Sequence, residues 1–219
     1  MLRLLFEKTG DAVFLSHLDV MRIFQRAFQR ANIMIWHSQG FTPRAYVSIA
    51  LPLSVGTASR CEILEFEIQE GEVDINRLVE NLNRTMPVGI RVLKAYESQN
   101  KIKNLAFLQA KIGLEYDNSV PNGAQTAIAE LFSRESVTVT KHGKRGDKEV
   151  DIKQFLSSME LCRRSDHELE MRVVVQAQNP GLNPQLLVTA VERYLPELKP
   201  DFASVCREEV YDESMRIFR

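Results

Sequence analysis

Cysteine is scarce and badly placed for cross-linking. Only Cys61, Cys162 and Cys206 occur in 219 residues. The odd count and wide spacing argue against a disulfide scaffold, a zinc knuckle or a cysteine-ligated cluster in this chain. Long apolar runs are missing too: none approaches the ~18–20 residues of a membrane-spanning helix. The opening Met1-Leu2-Arg3-Leu4-Leu5-Phe6-Glu7 has no basic segment followed by a long apolar core, so no secretory signal is expected. The four histidines, His17, His37, His142 and His167, stand at no recognised metal-ligand spacing, and no metal is expected. After Gly56 there is no Gly-Lys-Ser/Thr ending, so a Walker-type phosphate loop is excluded. A reduced, cytoplasmic setting follows as the expectation.

What is present suits a soluble globular chain. Hydrophobic residues make up 44 % and charged residues 26 %, enough for one substantial core or two smaller ones. The net charge of −1 hides an uneven distribution. Residues 1–60 carry seven Lys or Arg against three acids, whereas residues 61–98 carry four against eight. Local charge is what attracts a polyanion, so the basic N-terminal stretch is the segment of interest.

Patterning predicts a strand over Leu2–Lys8 and a turn at Thr9-Gly10-Asp11. Ser16-His17-Leu18-Asp19 reads as a capping box opening a helix to about Ala31. Its apolar face is Val20, Ile23, Phe24, Ala27, Phe28 and Ala31. A short strand at Met34–His37, an extended segment at Tyr46–Leu53 and a strand at Glu62–Gln69 follow. Asp74 starts a second helix that buries Ile75, Leu78, Val79 and Leu82, and a strand runs from Ile90 to Tyr96. The second half repeats the order: strand Leu105–Tyr116, helix Ala124–Ser133, strand Val137–Lys141, a short insertion beginning at Val150–Phe155, a hairpin of Met159–Arg163 with Leu169–Ala177, a helix from Pro184 to Tyr194, and a strand Phe202–Val210. This is the split βαβ order twice over. The expected class is α+β, with two tandem ferredoxin-like (βαββαβ) domains over residues 1–99 and 104–219 and mostly antiparallel sheets. A single larger α+β domain is the alternative.

Arg22, Arg26 and Arg30 recur every four residues and form one row away from the apolar face. Arginine holds phosphate oxygens bidentately, and Gln25 and Gln29 flank the row with neutral donors. A merely solvated face is the competing reading. The loop Ser38-Gln39-Gly40-Phe41-Thr42-Pro43-Arg44 brings polar groups, an aromatic ring and a cation together. Its glycine permits close approach of backbone amides, and Phe41 either stacks on a base or plugs the core. Trp36 and His37 precede it. His17 with Asp19 is a candidate acid–base pair, set against a structural role in the first helical turn. Lys141, Lys144, Arg145, Lys148 and Lys153 make a second basic stretch, diluted by Asp147, Glu149 and Asp151.

Lys8-x-Gly10, Phe14-Leu15-Ser16-His17-Leu18-Asp19-x-Met21-Arg22, Ser38-Gln39-Gly40-Phe41 and Leu51-Pro52-Leu53-x-x-Gly56-x-x-Ser59-x-x-Glu62 together resemble the bacterial radical SAM-linked protein family, a domain of unknown function. The resemblance continues more weakly through Lys148-Glu149-Val150-Asp151-Ile152. It implies a radical S-adenosylmethionine enzyme as partner. This chain has no Cys-x-x-x-Cys-x-x-Cys run, so it resembles the stand-alone form, with the iron–sulfur cluster and S-adenosylmethionine expected only on the partner. It departs from the family's Gly-Phe-Asn-Pro-His-Pro loop, with Thr42, Arg44 and Ala45 in place of the Asn, the His and the second Pro. That removes the loop histidine and leaves a cation in its place.

The resulting expectation is a non-catalytic accessory module. It works with a radical enzyme and binds RNA (tRNA or rRNA) through Arg22, Arg26, Arg30, Ser38, Gln39, Gly40, Phe41 and Arg44. Two alternatives stand beside it. One is an RNA-processing or RNA-modifying enzyme using His17 and Asp19. The other is a protein-only scaffold presenting the acidic strand face Glu62, Glu65 and Glu67. No membrane association is expected.

Overall fold

A computed structural model of the chain describes residues 1–39, 41, 43–69, 74–141, 143 and 146–219. Gly40 and Thr42 of the loop, and His142, Lys144 and Arg145 of the second basic stretch, lie outside the described residues. The chain divides into two compact units, residues 1–104 with residue 219, and residues 105–218.

In the first unit, β1 (Leu2–Lys8) leads through a 3-10 turn at Gly10–Phe14 into α1 (His17–Arg30). Then come β2 (Val47–Ile49), β3 (Thr57–Phe66), α2 (Ile75–Asn83) and β4 (Ile90–Glu97). The sheet order is β4-β1-β3-β2, with antiparallel neighbours throughout. That is the ferredoxin-like arrangement. The two-residue period of β1 turns Leu4, Phe6 and Lys8 to one buried face, where they register against Leu64, Glu62 and Ser59 of β3. The apolar stripe of α1 covers that face. The Phe6 and Phe24 rings meet edge-on at 4.7 Å, and the Phe28 and Phe66 rings lie 4.8 Å apart. From α2, Leu78 and Leu82 complete the core. Asn83 clamps the end of α2 to β4, its amide donating to the Val92 carbonyl and its oxygen accepting from the Val92 N–H, each at 2.8 Å.

The second unit runs β5 (Leu105–Glu115), α3 (Ala124–Ser133), β6 (Thr138–Lys141), β7 (Lys148–Asp151), β8 (Leu156–Arg163), β9 (Glu168–Gln176), α4 (Gln185–Tyr194) and β10 (Phe202–Asp212). Its sheet order is β10-β5-β9-β8, again antiparallel, and β6 pairs with β7 as a separate hairpin. Removing that hairpin leaves a second βαββαβ unit. Leu108, Ala110, Ile112 and Leu114 of β5 face the helices beside Leu169, Met171, Val173 and Val175 of β9. The inserted hairpin is tied to α4 by the Tyr194 hydroxyl, which donates to the Thr138 carbonyl at 2.9 Å, and by an Arg193–Glu149 ion pair at 3.0 Å. The chain is therefore α+β and built of two ferredoxin-like units in tandem.

Three local expectations change. The strand expected at Met34–His37 reduces to isolated bridges at Ile35 and His37. The extended Tyr46–Leu53 segment is regular only over Val47–Ile49. Conversely, β3 begins at Thr57 and not at Glu62, because Gly56 takes a left-handed φ of 83° and turns the chain directly into the sheet. The acidic strand face is also corrected. Glu62 is buried and Glu65 accepts from Arg3 at 2.8 Å, so of the three only Glu67 is exposed. The cause is parity: Glu62 lies on the same face of β3 as Leu64 and Phe66.

Candidate nucleic-acid interface

The entry to α1 is built as its sequence suggests. The Asp19 N–H donates to Ser16 Oγ at 3.2 Å, and the Ser16 hydroxyl donates to Asp19 Oδ2 at 2.6 Å. The hydroxyl holds the Asp19 carboxyl below its usual 3.8; burial opposes the shift, and the Ser16 backbone N–H and Arg22 add to it. Asp19 also accepts from Arg22 at 3.3 Å across one helical turn. It is therefore committed to the cap, and its surface pair with Arg22 contributes little stability.

At the other end, Asn32 occupies the left-handed region at φ 55°. Its N–H reaches the Gln29 carbonyl at 3.1 Å, and the Ile33 N–H reaches the Phe28 carbonyl at 2.9 Å. This is a Schellman termination, with Asn in the place glycine usually takes. It turns the chain so that Ile33 and Ile35 run back beneath the helix.

Between these ends Arg22, Arg26 and Arg30 are all exposed. Arg26 and Arg30 have no carboxylate partner among the described residues. One step round the helix, Gln25 and Gln29 form a parallel row, and below them opens a cavity of about 450 Å³. Ile33 and Ile35 give it an apolar floor. Asn32 and Gln69 add two more carboxamides to its wall, and His37 closes one side. His37 Nδ1 donates to the Ile35 carbonyl at 2.8 Å.

The loop that follows is closed by its own ends. The Ser38 N–H donates to the Arg44 carbonyl at 2.9 Å, and the Arg44 N–H donates back to Ser38 Oγ at 3.1 Å. His37 bridges Ala45, and Ala45 lines the cavity, so the loop is anchored at the cavity wall. Phe41 is fully exposed, which removes the core-plug reading. Gln39 and Arg44 are exposed as well. Trp36 packs edge-on against Tyr46 at 6.1 Å between ring centres. The Tyr46 phenol is raised above its usual 10.0, by burial first and by Glu65 and Glu67 next, and it stays protonated at neutral pH. Gln25 and Gln29 of α1, His37 and Ala45 at the loop's end thus line one cavity, and no arginine of the row is part of its described lining.

His17 stands elsewhere, in a small pocket shared with Lys8 and Glu62. Lys8 is 1 % exposed, and its ammonium donates to the carbonyls of Val13 at 3.1 Å and Leu15 at 3.0 Å. Sequence reasoning missed this buried polar group. Strand parity was the signal that would have found it, since Lys8 continues the Leu4–Phe6 face. With Arg3 also buried, the basic surplus of residues 1–60 at the surface rests on Arg22, Arg26, Arg30, Arg44 and Arg60.

A third feature flanks the 3-10 turn. The Thr9 N–H donates to the Gly89 carbonyl, and the Gly56 N–H to the Val13 carbonyl, both at 2.8 Å. These bonds draw two loops to the turn, and Phe14, Leu18, Val55 and Val88 stand exposed around it. Among the described residues no group of His, Cys, Asp or Glu is placed to hold a metal ion. No helix there is long and apolar enough to cross a membrane.

A family model described as "Uncharacterized protein conserved in bacteria (DUF2344)" matches residues 1–184. No curated protein sequence matches the chain. Among solved structures, a chain of a Cbf5–Nop10–Gar1 complex is similar, with a TM-score of 0.53 at 9 % identity over 97 % of this chain. A chain in an H/ACA RNP bound to a substrate RNA containing 2′-deoxyuridine gives 0.48 at 9 % identity over 94 %. This chain spans about half the length of either, 50 % and 46 % respectively. At such identity the likeness to the first is one of fold.

Proposed function

The chain belongs to the bacterial family DUF2344, and from that premise we propose that it is a non-catalytic binding module that holds RNA for a radical S-adenosylmethionine enzyme. The RNA, of the transfer or ribosomal class, would lie along α1 and the loop at 38–44. One observation carries this reading: Arg26 and Arg30 are exposed, without a carboxylate partner among the described residues, on the same helix as Gln25 and Gln29, and the exposed Phe41 and Arg44 belong to the loop that closes at Ser38 and Arg44. Phosphates suit the guanidinium groups, and an unstacked base suits the exposed ring. The enzyme alternative finds less support, because the Asp19 carboxylate serves the helix cap.

The radical partner rests on the motif resemblance. The apolar group Phe14, Leu18, Val55 and Val88 offers a protein partner a surface at the N-terminal end of α1, where Leu18 begins the row that Arg22 continues. In this reading the iron–sulfur cluster and S-adenosylmethionine belong to the partner, and both proteins work in the cytoplasm.

Salt dependence provides the test. Three cations on a single strand predict a slope of log K against log salt of about −2, from roughly −0.7 per phosphate. Replacing Arg26, Arg30 and Arg44 by Ala should bring that slope close to zero and weaken binding to every RNA sequence alike. An unchanged slope in the triple variant, or no RNA retained by the wild type at moderate salt, refutes the RNA reading. Pull-down of the radical enzyme without nucleic acid, lost on Phe14→Asp with Leu18→Asp, tests the partner separately.

A further inference from the structure

The stem of the loop at 38–44 has two faces. His37 bridges Ala45. Above that bridge the Ser38 N–H donates to the Arg44 carbonyl at 2.9 Å, and below it the Tyr46 N–H donates to the Trp36 carbonyl at 2.8 Å. Successive residues of an antiparallel ladder point to opposite faces. His37 and Ala45 accordingly line the cavity on α1, while Trp36, Ser38, Arg44 and Tyr46 share the reverse face and take no part in the cavity's described lining.

On that reverse face Trp36 stays 37 % exposed, although its indole is the largest apolar group in the chain. Its position is fixed from two sides. The Trp36 N–H donates to the Glu67 carbonyl at 2.8 Å, and its ring stands at 72° to that of the half-buried Tyr46, the edge-on packing aromatic pairs prefer. Arg44, two residues from Tyr46 along the strand, is exposed without a carboxylate partner among the described residues. Of the two carboxylates that act on Tyr46, Glu65 is bonded by Arg3 and Glu67 is exposed. One free cation thus stands against one free acid, and stacking, not charge, has to supply affinity here.

We infer that Trp36 is a base-stacking platform for single-stranded RNA, with Arg44 on the adjoining phosphate. The inference rests on the RNA-binding reading and deepens it. Two rings, the fully exposed Phe41 within the loop and Trp36 at its foot, take unpaired bases, and that makes single strands the substrate class. A base inside a duplex has both faces covered by its neighbours and does not reach the indole. Every base has a π-face, so the platform imposes no base preference.

Because Trp36 is the only tryptophan, its emission reports the contact directly. The test titrates the full chain with unlabelled oligouridylate and with duplex RNA of equal length, following that emission; affinities of variants come from the anisotropy of a labelled strand. The single strand should quench the emission saturably, and the duplex should leave it unchanged. Trp36→Leu keeps apolar bulk against Tyr46 but removes the aromatic face, so it should fold normally and weaken single-strand binding about tenfold, with the salt slope intact. Trp36→Phe should retain most of the affinity. Arg44→Ala should lower the slope by about 0.7 while saturating RNA still quenches Trp36. Equal quenching by the duplex, RNA bound with no change in emission, or Trp36→Leu binding as the wild type does, overturns the platform and leaves the RNA reading standing. Binding of no RNA overturns both.

Discussion

Replacing Lys8 by Met should destabilise the first unit by about 3 kcal/mol. The Lys8 ammonium donates to the carbonyls of Val13 and Leu15, and bonds of this charge-assisted kind contribute roughly 1.5–3 kcal/mol each. Against that gain stands the cost of dehydrating the ammonium, several kcal/mol, which Met does not incur. The Val13 carbonyl keeps the Gly56 N–H at 2.8 Å, so it is not orphaned. The Leu15 carbonyl loses its ammonium. Glu62, buried in the same pocket, is left beside an apolar side chain.

The net sign is therefore destabilising, and adding Glu62→Gln should recover part of the loss. Trp36 is the only tryptophan in the chain and lies in the first unit, so its fluorescence in urea reports that unit. Hydrogen exchange adds the location. Amides at 15–20 should lose protection before those of α2, because Lys8 ties down the turn that feeds α1. A Lys8→Met protein as stable as the parent would refute the reasoning, and it would make the buried ammonium a tolerated passenger.

Two further perturbations follow from the packing. Gly89 has φ 87°, and a Cβ there would press into the Thr9 carbonyl oxygen and lie 2.7 Å from Ala12 Cβ; Gly89→Ala should cost about 2 kcal/mol or more by urea unfolding. In the second unit, the Glu170 carboxyl is held below its usual 4.5, first by the hydrogen bond from Arg164, against burial, with charge from Arg164, Lys111 and Arg172 adding to it. A lowered folded value means that this contribution is complete above about pH 4.5 and disappears as pH falls through the lower value. Glu170→Gln should cost about 2 kcal/mol at neutral pH, since its partners are partly exposed, and should flatten the acid limb of stability followed by circular dichroism.

Local patterning made most of the fold legible. The capping box at Ser16–Asp19 and the 3.6-residue stripe through Val20, Phe24, Ala27 and Phe28 mark α1, because caps and amphipathic faces are written within one or two turns. Alternation marks β1, and the repeated order of strands and helices points to the ferredoxin-like class. The limits of β2 and β3 were harder to read. They depend on where Gly56 reverses the chain and on which residues find a partner across the sheet, and neither lies within a short window.

The arginine row was visible from the sequence alone, since three like residues at a spacing of four must share a helix face. The cavity lined by the neighbouring Gln25 and Gln29 was not. The cavity is assembled from α1, the returning segment after Asn32 and Gln69, which are distant in sequence, and only the folded chain sets their amides around one space. The burial of Lys8, Arg3 and Glu62 has the same origin: composition counts their charges, but tertiary contacts decide whether those charges reach solvent. The sequence by itself determined the helix faces, the caps and the fold class, because these follow from local geometry. Tertiary structure alone decided which polar groups are buried struts and which converge on an open pocket, because that depends on neighbours brought together across long separations along the chain.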